Sequence, residues 1–316
     1  MNRLNHIDGL RGLAAVAVMI YHFTTQLPDG FLRHWGSYGW LGVEVFFVIS
    51  GAVIPLACRS DLSGYARVGG FLLRRMARLF PPFAASILLV LLLAQLSALV
   101  PGYAGHLQVP SWRNLVANLC YVADFTGEPW ISPVYWTLAL EVQWYLFLAL
   151  LGPLMLRHKW LAWALLMTLP WLLPSDKLAL HWLPLFGCGW VASQRLRSQL
   201  NDPEFLLQAL SLLVLTALVL GTPQAAAALL AMTAILGLEP VLARLQSWGG
   251  PSYSLYLVHV PVGGRIINLA KRLDLGHPVL QWLAVLAASL VSVLFSLCWS
   301  RWLEQPAIRL SRRLRA

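Results

Sequence analysis

What this chain lacks first of all is charge. Asp, Glu, Lys and Arg make up 11% of its 316 residues, against 59% hydrophobic residues; a soluble domain carries about 25% charge. So few polar groups cannot cover the surface of a water-soluble globule, which leaves the bilayer as the solvent. Cysteine is scarcer still. Cys58, Cys120, Cys188 and Cys298 stand far apart, in or near apolar segments, with no C-x-x-C spacing. That pattern fits small buried hydrophobes and argues against a disulfide framework or a thiol redox motif. The chain has no H-E-x-x-H, no phosphate-binding glycine loop ending in Lys and Ser or Thr, and no metal-ligand cluster, so no bound metal is expected. Internal repeats and low-complexity tracts are missing too.

What fills the chain is a series of ten apolar stretches, approximately 10–27, 39–58, 80–100, 134–156, 159–175, 178–196, 204–220, 223–242, 248–268 and 278–302. A membrane-crossing helix takes about 20 residues, so ten of them leave no room for a soluble domain. The expected fold is all-α, a polytopic transmembrane helix bundle of about ten spans, forming one integral membrane domain over 1–316. Pro170, Pro174 and Pro184 interrupt the stretches 159–175 and 178–196. Asn114–Phe125 is apolar but too short to span, which suits a re-entrant or interfacial piece. The first stretch has the basic flank of a signal peptide, yet Arg11 lies in its core and it ends at His22 without a clean cleavage site, so it reads as a retained span.

The net charge of +10 reports topology rather than nucleic-acid binding. With the N-terminus inside, sixteen of the 23 Lys and Arg fall on the cytoplasmic side, from Arg3 through the group between Arg59 and Arg78 to the closing run that ends at Arg315. Six fall on the other side (Arg33, Arg113, Lys177, Arg265, Lys271 and Arg272), with Arg11 counted apart. This is a positive-inside distribution with both termini cytoplasmic. The 15 Trp residues fit interfacial belts. His6, His34, His106, His158, His181 and His277 fall in loops or at ends and read as solvated.

Five constellations break the apolar pattern. Arg11 and His22 lie in the first stretch, eleven residues apart, close to three whole helical turns, so they share a face roughly 16 Å apart along the axis. Ionisable groups inside a span usually face a polar interior and mark a functional path, and neutral histidine is the usual general base near neutral pH. In Gly42–Gly51, Glu44 lies near the outer end as an interfacial or functional carboxylate, and Ser50 and Gly51 suit close helix packing. Arg75 and Arg78 neighbour each other on one helix face before the third stretch. Paired guanidiniums suit phosphate oxygens, although any cytoplasmic flank collects arginine. Glu141 sits inside the fourth stretch with Thr137 one turn earlier, and a carboxylate there needs a cation or donors, for which Arg11 and His22 are the available kinds. Ser252, Tyr256 and His259 form an i, i+4, i+7 stripe that lines a cavity or bonds neighbouring helices.

Taken together, these segments resemble the acyltransferase 3 family of bacterial membrane O-acyltransferases. Asp8-Gly9-Leu10-Arg11-Gly12 followed by His22 is similar to the family's opening signature. Phe46-Phe47-Val48-Ile49-Ser50-Gly51 is similar to its phenylalanine-rich second-span motif, and Arg75-x-x-Arg78 to its cytoplasmic arginine motif. Trp136-Thr137-Leu138-Ala139-Leu140-Glu141 resembles its glutamate-bearing span, with Val142 where a second acidic residue is common. Ser252-Tyr253-Ser254-Leu255-Tyr256-Leu257-Val258-His259 and Trp302-Leu303-Glu304-Gln305-Pro306 resemble its late and closing motifs. Six motifs occur in the family's order from residue 8 to about 306. Some members carry an extra extracytoplasmic esterase-like domain, and none is expected here.

The resemblance implies transfer of a short acyl group, usually acetyl, from cytoplasmic acyl-CoA to a hydroxyl, usually of a cell-surface or secreted carbohydrate, in the bacterial inner membrane. Acetyl-CoA would be a co-substrate rather than a bound cofactor. On this reading Arg75 and Arg78 hold the CoA phosphates, and His22 deprotonates the acceptor. Ser252 or Tyr256 stabilises the oxyanion, Glu141 orients Arg11 or His22, and His259 and Glu44 are further candidates for substrate contact. A covalent acyl-histidine step is the competing variant. The competing class is a multi-span transporter or flippase for an anionic or glycan substrate, which would show paired, similarly interrupted halves; none is visible.

Overall fold

The structure, a computed structural model, describes residues 5–58, 60–99, 109–273 and 275–314. Arg3, Arg59, His106, Arg315 and the last residue of the 80–100 stretch lie outside the described residues. No strand occurs among those described. The principal helices are α1 (Asn5–Thr24), α2 (Gly42–Ala57), α3 (Val68–Ala98), α4 (Tyr135–Arg157), α5 (Lys159–Leu172), α6 (Leu183–Leu196), α7 (Asp202–Val219), α8 (Thr222–Gly237), α9 (Ser252–Ala270), α10 (Pro278–Trp299) and α11 (Gln305–Arg313).

Each of the ten apolar stretches holds one of the first ten helices. Five helical runs are long and apolar enough to cross a bilayer: Phe31–Ala57, Tyr65–Ala98, Tyr135–Arg157, Asp202–Val219 and Pro278–Arg313. Proline explains the shortness of α5 and α6. Helix α5 stops at Leu172, before Pro174, and α6 starts at Leu183 with Pro184 in its first turn, the two places where proline is compatible with a helix boundary. At 14 residues each, they are about 21 Å long, less than the roughly 30 Å hydrocarbon core. The short segment expected between the third and fourth stretches contains a helix, Trp112–Leu119, capped by Ser111, whose Oγ accepts from Asn114 N at 3.1 Å. The side-chain amides of Asn114 and Asn118 both donate to Pro129 O, at 2.7 and 3.1 Å, and fold the following loop back onto that helix.

The chain forms two compact units. One is built from Met1–Val18, Gly39–Arg74 and Leu140–Ser252; the other from Met19–Tyr38, Arg75–Ala139 and Tyr253–Ala316. In the first unit α2 and α6 touch backbone to backbone. A Cβ on Gly51 would lie 2.0 Å from Phe186 O, and one on Gly189 would lie 1.9 Å from Val48 O. Only glycine permits this approach at both points. Phe186 then packs between Phe47 and Trp144, with ring centroids 4.9 and 4.7 Å away. The N-terminal half of α1 is seated in the same manner. A Cβ at Gly9 would meet Leu242 O at 2.2 Å, and one at Gly12 would meet Trp248 Cβ at 2.6 Å. Gly249 returns the contact, its added Cβ falling 2.0 Å from Asp8 O. His6, expected to be solvated, is buried in this unit, with Nε2 3.1 Å from Ile235 O. The bare glycine faces beside it draw the start of α1 into the interior.

In the second unit Gly263 brings α9 against α1 and α10, where its added Cβ would meet Phe23 Cζ at 2.2 Å and Ser292 Oγ at 2.4 Å. Phe83 of α3 stacks on Tyr121 at 4.4 Å and meets Tyr135 edge-on at 5.0 Å. The Tyr135 hydroxyl is 2.9 Å from Ser86 Oγ. Helices α10 and α11 are joined by a π-helical turn, Ser300–Glu304.

Gly51→Ala and Gly189→Ala should each lower the thermal unfolding midpoint of the detergent-solubilised protein, since overpacking a close contact costs typically about 1–3 kcal/mol. Gly69→Ala, where an added Cβ meets nothing within 4 Å, should leave the midpoint unchanged or raise it. Equal midpoints for all three variants would contradict the close approach.

Candidate active site

Helix α1 runs unbroken from Asn5 to Thr24, so its 3.6-residue period carries Arg11 and His22 along one face. Arg11 is half-buried, and its Nε has no partner among the described residues. His22 lies in the last turn, half-buried, in the second unit. There it meets a residue that the sequence places 237 positions away. The ring of His259, fully buried on α9, stands 5.2 Å from the His22 ring, tilted by 47°.

The surroundings of His259 define its chemistry. Its Nδ1 lies 2.9 Å from Leu255 O, one turn back on α9. A carbonyl there requires the proton on Nδ1, so the neutral ring presents Nε2 as a lone pair. That Nε2 is buried and has no partner among the described residues. Phe23 approaches the same ring edge-on at 6.3 Å. Tyr256 completes the cluster, its ring 6.0 Å from His259 and its hydroxyl 2.6 Å from Thr137 Oγ1. Thr137 donates to Val134 O at 2.9 Å, so the Tyr256 hydroxyl is the donor to Thr137 and ties α9 to the start of α4. Ser252 is likewise engaged, donating to Gly249 O at 2.8 Å. The i, i+4, i+7 stripe therefore divides: two hydroxyls hold structure, and the imidazole keeps an open nitrogen.

Glu141 lies in the first unit and is held by hydroxyls. Ser50 Oγ donates to its Oε1 at 3.2 Å, and Tyr145 OH donates to the same oxygen from one turn along α4. Among the described residues no ion pair joins it to Arg11. The cation expected at Glu141 is replaced there by two neutral donors, which meet the same electrostatic need at lower desolvation cost. Tyr145 was not singled out in the sequence, because a tyrosine in an aromatic-rich span carries no signal until its carboxylate neighbour is placed one turn away. Glu44, in the first turn of α2, is buried, and its Oε2 has no partner among the described residues. Arg75 and Arg78 are both half-buried near the start of α3, each with interactions of its own. Asp61 pairs with the adjacent Arg74 at 2.9 Å. Glu304 of the closing motif is buried in the π-helical turn and accepts a hydrogen bond from Ser254 of the late motif, so two motifs distant in sequence meet through their polar atoms.

The acyltransferase 3 family, described as an acyltransferase domain, matches residues 4–301, and the chain belongs to it. A putative O-acetyltransferase of Staphylococcus aureus (strain COL) is 30% identical over 159 residues, covering 46% of this chain. O-acetyltransferase OatA of Staphylococcus aureus (strain NCTC 8325 / PS 47) is 32% identical over 155 residues, again 46% of this chain. The match spans 24% of the length of each of these relatives. No solved structure matches the chain.

Removing the Tyr145 hydroxyl leaves Glu141 with one fewer donor, and a hydrogen bond to a charged group contributes about 1.5–3 kcal/mol. Tyr145→Phe should therefore lower the unfolding midpoint, whereas Tyr145→Phe in a Glu141→Gln background should add little. Additive losses in that double-mutant cycle would show that the hydroxyl and the carboxylate do not act together.

Proposed function

We propose that this chain is a ten-span O-acyltransferase of the bacterial inner membrane, with both termini cytoplasmic. On this reading it moves an acetyl group from acetyl-CoA to a hydroxyl of a cell-surface or secreted carbohydrate. Family membership supports the reaction class. The names of the relatives, O-acetyltransferases, support acetyl as the group transferred. The observation that carries the reading to particular atoms is the pairing of half-buried His22 with fully buried His259. Two imidazoles held in an apolar interior, one with an open Nε2, form a site that can take and return a proton.

In the reaction His22 removes the proton of the acceptor hydroxyl as the oxygen attacks the thioester carbonyl carbon. The tetrahedral oxyanion collapses, the carbon–sulfur bond breaks, and the thiolate of CoA leaves with the proton that His22 returns. His259, with its proton fixed on Nδ1 by Leu255, holds the His22 ring in position and supplies the acceptor lone pair of the pair. Arg75 and Arg78 bind the CoA phosphates at the cytoplasmic end of α3. Arg11, three turns earlier on the helix face of His22, guides the thioester arm. Within the first unit Glu141 is fixed by Ser50 and Tyr145, and Glu44 is buried. Ser252 and Tyr256 hold α9 in register for His259.

Two variants test this reading in purified protein supplied with labelled acetyl-CoA. His22→Ala should abolish acetyl transfer while the protein still inserts and purifies normally; turnover near wild type would remove His22 from the mechanism. Arg75→Ala combined with Arg78→Ala should raise the KM for acetyl-CoA far more than it lowers kcat at saturation, and an unchanged donor affinity would return both arginines to a purely topological role.

A further inference from the structure

The second unit contains a cavity that the reaction scheme leaves unused. It is a partly open space of about 260 Å³ whose walls, from four parts of the chain, set the polar side chains of Gln26, Ser97, Ser132, Arg265 and Asn268 among apolar ones. A water-sized bubble in a membrane protein has no reason to be lined by two amides, two hydroxyls and a guanidinium, since each is costly away from water.

Its position ties it to the two histidines. Gln26 follows His22 by one helical turn, about 6 Å along the axis, and its Nε2 donates to His22 O at 2.8 Å. On the opposite wall Val260 and Pro261 line the cavity, immediately after His259 in α9. Its polar groups are held in place. Arg265 donates to Leu93 O, Ser97 Oγ and Pro261 O at 3.3, 3.1 and 2.7 Å. Lys271 Nζ reaches Gln26 Oε1 and Asn268 Oδ1, both at 3.2 Å. The exception is Ser132, which is buried and whose Oγ has no partner among the described residues. A buried hydroxyl without a partner is costly unless something else supplies one.

A second space of about 640 Å³ shares Val90 and Ile131 with the first and adds Glu128 and Trp130 to the lining. Trp130 Nε1 is again buried without a partner among the described residues. A small pocket with polar walls, lined by the residue that follows His259, next to a larger one with an aromatic and a carboxylate, matches a chain of hydroxylated rings better than a lipid tail or an isolated alcohol.

We propose that these two cavities form the acceptor site, with one sugar ring among Gln26, Ser97, Ser132, Arg265 and Asn268 and the next along Trp130. Ser132 and Asn268 recognise hydroxyls of the reacting ring. This rests on the acyl-transfer reading above and adds to it the binding surface and its specificity residues.

Glycine supplies the test. Gly264 lines the small cavity, and an added Cβ there meets nothing within 4 Å, so Gly264→Leu fills the space without a backbone collision. Gly237 is equally open but lies outside the cavity, and Gly237→Leu is the control. Binding of methyl β-glucoside, methyl β-galactoside and N-acetylglucosamine is followed by saturation-transfer NMR, and acetyl transfer to the same probes, and to n-octanol, by labelled acetyl-CoA. Wild type and Gly237→Leu should bind at least one sugar, and Gly264→Leu should weaken that binding, with a rise in acceptor KM of about tenfold or more. Ser132→Ala should weaken sugar binding several-fold without lowering the unfolding midpoint, because the hydroxyl it removes has no protein partner; a lowered midpoint with unchanged binding would make Ser132 structural and overturn its role.

Sugar binding and transfer unaffected by Gly264→Leu would overturn the acceptor site while leaving the acyl-transfer reading intact. Transfer to n-octanol alone would overturn the sugar specificity. Sugar binding that Gly264→Leu abolishes, with no acetyl transfer by wild type, would uphold the sugar site and sink the acyl-transfer reading.

Discussion

A polar atom inside an apolar helical protein must be paired or must face space that something else fills. Much of what is informative in this chain follows from that constraint. Glu141 is paired, with Ser50 and Tyr145 on its Oε1. His259 is half paired, with Leu255 O on one nitrogen and nothing on the other. Ser132 is buried with no partner of its own among the described residues. These three states separate the buried polar groups that hold the protein together from those with an open atom, on which the proposed proton transfer and the proposed acceptor site rest. The sorting places Tyr256 and Ser252, with their hydroxyls already committed, on the structural side, although their spacing resembles that of a catalytic stripe.

The second constraint is distance between backbones. Helices with apolar side chains ordinarily stand 8–10 Å apart, too far for short side chains such as Ser50 to reach a neighbour. Bare glycine faces remove the barrier. Gly51 and Gly189 let α2 and α6 meet, and Gly9, Gly12 and Gly249 seat the start of α1 against the segment that precedes α9. The Asp-Gly-Leu-Arg-Gly run thereby has two functions in five residues. Its glycines make the contact, and the arginine between them is carried on a helix whose orientation that contact determines.

The sequence made much of this legible, and the reasons for the rest are physical. The low charge and ten apolar stretches anticipated an all-helical chain, and the eleven-residue interval placed Arg11 and His22 on one face because helical periodicity depends only on local geometry. Pro174 and Pro184 marked helix boundaries for the same reason, whereas Pro170 is accommodated inside α5. What could not be read was anything that depends on contact between distant segments. The approach of His22 to His259, the hydroxyls that stand in for a cation at Glu141, and the burial of His6 all arise from packing. Arg265 was legible only as a charge on one side of the membrane, since nothing nearby in sequence announces that Gln26, Ser97 and Ser132 surround the same cavity.

The π-helical turn at Ser300–Glu304 carries one residue more than an α-helical path would. Such a turn holds the extra residue without turning the helix that follows, so deleting one of its five residues would let the segment rewind as ordinary helix with the faces of α11 little changed. Comparisons of related chains that assume a regular helix here will fall one position out of step from Gln305 onward.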